Sequence, residues 1–209
     1  MRILYIDTSS SYLYTSIVEN DRVLSEIKEE FGQSLSEVAL PRIVSMFEEN
    51  NLSPKDIDKI IVVNGPGSFT GIRIGITIAK IYAWSLNIPI TTIYSLEAMA
   101  ISSPNNTYHV PIINARRGYV YAAIYDKDYK EVLKPSHILL TDLQEKLEYI
   151  DDYEFISNDE FDLEVNSYSP NFEKIVNYFK DKENINPHAV NPEYLKLTEA
   201  EESKLWYMN

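Results

Sequence analysis

The chain predicts an α/β fold of two related lobes, and three observations carry that prediction. Strand-like runs come first and helix-like periodicities follow in each half of the 209 residues. The change from one set to the next falls near Ser95–Tyr108, which divides the chain into lobes of residues 1–100 and 101–209. A glycine-punctuated turn, Asn64-Gly65-Pro66-Gly67-Ser68-Phe69-Thr70-Gly71-Ile72-Arg73-Ile74-Gly75, joins the β-branched run Ile60-Ile61-Val62-Val63 to a long apolar helix.

In order, Arg2–Ile6 is a strand, Asp7-Thr8-Ser9-Ser10-Ser11 a turn, Tyr12–Glu19 a second strand, Asn20-Asp21 a turn, and Arg22–Lys28 a third strand. Leu35, Val38, Ala39, Ile43, Met46 and Phe47 recur at helical spacing and predict an amphipathic helix over Ser36–Asn50, opened by the capping signature Ser34-Leu35-Ser36-Glu37. Ser53-Pro54-Lys55-Asp56 predicts a capped helical turn before the strand Lys59–Asn64. Ser68 caps a helix over Thr70–Leu86, which Asn87 and Pro89 end, and Ile90–Ile93 is extended. In the second half, Val110–Asn114 and Tyr119–Tyr125 are strands around the loop Ala115-Arg116-Arg117-Gly118, followed by Tyr129–Leu133. Thr141–Leu147 and Ser169–Lys180 are helices with capping signals at Thr141 and at Ser169-Pro170.

The central helix carries more apolar surface than one lobe needs. At roughly 100° per residue, Arg73, Thr77, Lys80 and Trp84 share one narrow arc. Ile72, Ile76, Ala79 and Ala83 form one apolar stripe; Ile74, Ile78, Ile81 and Tyr82 form a second. Together they cover roughly 200°, about twice what a single core-facing side requires. One cover is the sheet of its own lobe; the other is a neighbouring helix or a partner subunit. Four buried apolar side chains supply about 6–12 kcal/mol against an association cost of about 4–15, so a partner needs a second element, for which the helix Ser36–Asn50 is the candidate. Leu35, Val38, Ile43, Phe47, Ile72, Ile74, Ile76, Ile78, Ile81 and Tyr82 are therefore the candidate interface.

The turn itself has two readings. Its glycines could cradle phosphate on free N–H groups, but no Lys-Ser or Lys-Thr follows them and GxGxxG is matched only loosely. The stronger reading is a tight turn and close helix-to-sheet packing. Asp7-Thr8-Ser9 likewise reads as turn chemistry, with a vestigial nucleotide cleft as the alternative.

Composition excludes some functions. A net charge of −13 makes direct nucleic-acid binding poor, and the tyrosines, 16 in number, are assigned to packing rather than base stacking. His109, His137 and His188 are isolated from one another and cysteine is absent, so no metal site is expected. No apolar run approaches the ~20 residues of a membrane span, and a cytoplasmic location is the simplest expectation.

Four segments identify a family: Ile6-Asp7-Thr8-Ser9; Gly65-Pro66-Gly67-Ser68-Phe69-Thr70-Gly71 with Arg73; Ala115-Arg116-Arg117-Gly118; and Pro192-Glu193-Tyr194-Leu195. Together they closely resemble the TsaB (YeaZ) family over most of the chain, residues 147–191 contributing little. The resemblance implies a two-lobed actin-like (ASKHA, ribonuclease H-like) fold with mixed sheets flanked by helices. It further implies a non-catalytic scaffold, an inactive relative of the threonylcarbamoyltransferase TsaD. Such a subunit pairs with TsaD through helices of the first lobe, acts with the ATPase TsaE, and serves N6-threonylcarbamoyladenosine formation at position 37 of tRNAs reading codons that begin with A. It implies no cofactor, tRNA contact only through the complex, a homodimer when the chain is alone, and a tail docking back through Trp206 and Tyr207. Departures from the family pattern include Asn114 and Tyr119, where relatives often place acids, and Leu35-Ser36-Glu37 in place of His-Ser-Glu. The rival expectation is an enzyme in its own right: an ATP-dependent transferase or kinase using Asp7, or a metal-dependent peptidase.

Overall fold

The computed structural model describes residues 1–196. The first sheet begins as the expected meander: β1 (Arg2–Asp7), β2 (Tyr12–Glu19) and β3 (Arg22–Glu30), each antiparallel to the one before. The β2–β3 turn is tight because Asn20 and Asp21 take φ of 47° and 69°, a left-handed pair these side chains tolerate. After α1 (Leu35–Glu49), β4 (Lys59–Val63) lies parallel to β1; after α2 (Phe69–Leu86), β5 (Ile90–Ile93) lies parallel to β4. The order is β3-β2-β1-β4-β5.

A helix that the sequence pattern did not disclose, α3 (Ser95–Ser102), leads to the second sheet. It comprises β6 (Tyr108–Asn114), β7 (Tyr119–Tyr125), β8 (Glu131–Leu139) and, after α4 (Leu140–Leu147), β9 (Tyr153–Ile156). Its order β8-β7-β6-β9, with β9 parallel to β6, repeats β3-β2-β1-β4. Both sheets are mixed, as expected.

The first sheet is covered on both faces, which its alternating side chains require. Leu4, Ile6, Ile60 and Val62 meet α1 and α2 on one side; Ile3, Tyr5, Ile61 and Val63 meet α3 and α5 (Phe172–Phe179) on the other. This corrects the simple division at residue 100. Phe172, Ile175, Val176 and Phe179 return to the first sheet, and Lys59 Nζ donates to the carbonyls of Lys180 and Lys182 at 2.8 and 2.7 Å. Residues 172–182 thus belong by packing to the lobe in which the chain begins.

Helix starts shifted where an expected cap found no partner. Ser34 makes no side-chain cap bond at α1. Leu139, not Thr141, precedes α4, and Asn171, accepting the Lys174 N–H at 3.0 Å, caps α5 in place of Ser169. Ser68 and Ser53 do cap as expected. β8 runs on to Leu139, six residues past the expected end at Leu133, by pairing with β7.

Candidate functional site

The glycine turn is built around the loop after β1. A side chain on Gly67 would collide with the Ser9 carbonyl, one on Gly71 with the Thr8 carbonyl, and one on Gly75 with the Thr8 hydroxyl. Absence of Cβ therefore lets α2 lie against Asp7-Thr8-Ser9, and Thr8 Oγ1 ties the contact by donating to the Gly71 carbonyl at 2.7 Å. The Ser68 N–H donates to the Ser9 carbonyl at 2.6 Å, and the Gly71 N–H donates to Ser68 Oγ at 3.2 Å. Two donors that a phosphate would use at this helix start are thus occupied by the protein, which supports the packing reading.

Asp7 is buried within the same loop. Its Oδ1 accepts from the Ser9 N–H at 2.8 Å and from Ser9 Oγ at 2.7 Å. Burial pushes its carboxyl above the ordinary value, and the Ser9 bonds only partly oppose this. The loop forms one wall of a cleft of about 860 Å³ between the lobes, whose other walls include Tyr14, Phe69, Arg116, Asn158 and Tyr168. The histidines lie apart: His109 is buried against Glu154 at 2.9 Å, His137 stacks on Tyr119, and His188 meets Trp84. Among the described residues no three His, Cys, Asp or Glu side chains gather as a metal site, and no helix is long and apolar enough to cross a membrane.

The polar arc of α2 holds a strap, residues 187–194. Arg73 lies 3.7 Å over the Phe69 ring and donates from Nε to the Tyr194 hydroxyl at 2.8 Å, while Phe69 and Tyr194 stack at 5.1 Å. Lys80 Nζ donates to the carbonyls of His188 and Val190 at 3.3 and 2.9 Å. The Glu193 N–H donates to the Asn64 carbonyl at 2.8 Å, and a Cβ on Gly65 would press the Glu193 carbonyl at 2.7 Å. Gly65 therefore serves the strap as well as the turn. Tyr194 was marked by the sequence only as part of a tail motif; its partners on α2 lie 121 positions or more away in the chain. Trp206 and Tyr207 lie outside the described residues.

Of the ten candidate interface residues, five belong to the core of their own lobe. Leu35, Ile43, Phe47, Ile72 and Ile76 are buried there, because α1 and α2 both pack on the first sheet; their selection as surface contacts is corrected. Val38, Ile74, Ile78 and Tyr82 are half-buried, and Ile81 is 60% exposed. α1 and α2 run side by side in one direction, Leu35 and Ile74 lining a common groove and Phe47 meeting Tyr82 with ring centroids 6.2 Å apart. The second cover of α2 is thus partly α1. Beyond it, Leu40 and Val44 of α1 and Ile81 and Trp84 of α2 remain exposed at 54, 45, 60 and 65%.

Two mixed sheets of repeated strand order, facing each other across a cleft, place this chain in the two-lobed actin-like (ribonuclease H-like) class of α/β proteins. The sequence model of the family described as TsaD, tRNA N6-adenosine threonylcarbamoyltransferase, matches residues 24–164. The chain is 34% identical, over 96% of both chains, to the tRNA threonylcarbamoyladenosine biosynthesis protein TsaB of Bacillus subtilis. It is 33% identical to the protein of the same name from Escherichia coli, over 61% of this chain and 56% of that one. The solved structure of YeaZ from Pseudomonas aeruginosa superposes with a TM-score of 0.72 at 19% identity, covering 92% of this chain and 100% of that one. The chain belongs to the TsaB (YeaZ) family and is a relative of TsaD.

Proposed function

We propose that this chain is a non-catalytic scaffold for threonylcarbamoyladenosine formation on tRNA, pairing with TsaD through the outer face of α1 and α2 and acting with TsaE. The observation that carries this reading is the exposed apolar set Leu40 and Val44 of α1 and Ile81 of α2, with half-buried Ile74 and Ile78 on the same side of α2 as Ile81. Water-exposed apolar groups of this size on adjacent helices mark a contact surface. A catalytic role is disfavoured by the loop after β1, whose Asp7 acceptor and Ser9 carbonyl are consumed internally.

Light scattering on a sizing column, with the chain alone and mixed with TsaD from the same genome, tests the pairing. A species of summed mass is expected. Ile81→Glu is expected to abolish it while leaving a native monomer, because that side chain contributes little to its own core; an unaltered mixed species sinks the proposal. The kinase alternative rests on the cleft beside buried Asp7. Calorimetric titration with ATP and magnesium decides it: saturable heat that Asp7→Ala removes would favour the enzyme, and no heat is expected.

A further inference from the structure

The turn that opens β7 is strained and carries two free cations. Arg116, Arg117 and Gly118 take φ of 67°, 54° and 79° in succession. Left-handed backbone costs a side-chain-bearing residue roughly 1–2 kcal/mol, so two arginines there must be held in place. The Arg116 N–H donates to Asn114 Oδ1 at 2.8 Å, the Tyr119 N–H to the Arg116 carbonyl at 3.0 Å, and the Asn114 N–H to Asp159 Oδ2 at 2.7 Å. Arg2 is paired with Glu19, Arg42 with Glu29, and Arg73 with the Tyr194 hydroxyl, while Arg22, in the first-sheet hairpin, is unpaired as well among the described residues. The guanidiniums of Arg116 and Arg117 make no hydrogen bond or ion pair among the described residues.

Beside the turn lies an aromatic platform. Tyr119, 37% exposed, stacks on His137 with centroids 4.6 Å apart and planes 9° apart, and Tyr121 lies against the same imidazole at 5.4 Å. Two free guanidiniums next to an exposed stacked ring match a phosphodiester and the base attached to it: the guanidinium forks take phosphate oxygens, and the ring takes the base face. An acidic peptide would satisfy the cations and leave the rings without a role. With a net charge of −13, the rest of the chain repels nucleic acid and confines such a contact to this corner.

We propose that Arg116, Arg117 and Tyr119 contact an unpaired nucleotide and its flanking phosphates on RNA. This rests on the function proposed above for the identity of that RNA, a tRNA. The test titrates a labelled tRNA transcript by fluorescence anisotropy across a salt series, using the chain with TsaD, and the chain alone at about 0.02 M salt. Arg116→Gln with Arg117→Gln is expected to weaken binding roughly 25-fold at about 0.1 M salt and to flatten the log–log salt slope by about 1.4. Tyr119→Ala is expected to weaken it at least about fivefold with no change of slope. A double variant with native circular dichroism but unaltered affinity and slope overturns the proposal. So does a double variant that no longer co-elutes with TsaD while the wild type does, since the arginines would then grip protein. If even the wild type fails to co-elute, the scaffold reading fails, and the same comparison on the chain alone still decides the RNA contact.

Discussion

Two buried carboxylates report opposite physics. Asp7 sits in a loop where burial outweighs its bonds to Ser9, so its carboxyl lies above the ordinary value. An acid whose folded value is raised adds stability when protonated and loses it as pH rises past the ordinary carboxylate value of about 4. Asp7→Asn retains an oxygen for Ser9 without the buried charge; it is expected to raise the melting temperature at pH 7, with the gain vanishing near pH 4. Glu154 is the reverse case. Burial pushes it up, but bonds from Ser103, Asn105, His109 and Asn166 outweigh this and leave it below the ordinary value. Its contribution is present above about pH 4.3 and is lost as the pH falls. Glu154→Ala strands those donors and is expected to cost about 3–5 kcal/mol in urea denaturation at pH 7.

At the scale of elements, α2 is held by three neighbours: the sheet beneath, α1 beside, and the strap of residues 187–194 on its polar arc. The sheet contact depends on missing side chains. Gly71→Ala gains helix propensity of about 1 kcal/mol but drives a methyl group into the Thr8 carbonyl, and a net loss of about 1–3 kcal/mol in the denaturation midpoint is expected. The strap depends on Tyr194. Tyr194→Ala removes both the Phe69 stack and the Arg73 bond, and limited proteolysis is expected to cut between residues 185 and 196 sooner than in the wild type. Which elements were legible follows from their burial. α2 and β4 announced themselves by periodicity and β-branched runs. α3 did not, because Ser95, Leu96, Ala98, Met99, Ala100 and Ile101 are buried all round and leave no polar face to set a period. β9 is four residues long in an acidic stretch, and its inward-facing Glu154 reads as surface until its partners are in view.

At the scale of the molecule, the second sheet repeats the order of the first four strands of the first, and the chain crosses between the sheets twice: out through α3 and back through α5. The return fixes the strap on the lobe that presents the exposed helix face. The strap and the proposed partner surface therefore share α2, the strap lying along Arg73 and Lys80 and the apolar face along Ile74, Ile78 and Ile81. In a mixture with TsaD, hydrogen exchange is expected to slow over residues 74–85 and not over residues 187–194; protection of the strap alone would move the interface to the opposite side of α2.

The sequence by itself determined the α/β class, the meanders, the capped α2, the glycine turn and the family, because backbone preferences and apolar spacing are local properties. Only the tertiary structure decided which apolar residues were spent inside: Leu35, Ile43, Phe47, Ile72 and Ile76 went to the core, while Leu40, Val44, Ile81 and Trp84 stayed in water. It also decided that α5 and the strap return to the first sheet, and that the Ser68 N–H answers the Ser9 carbonyl. Burial, crossovers and hydrogen-bond partners depend on what a distant segment brings alongside, and neither side-chain type nor spacing records that.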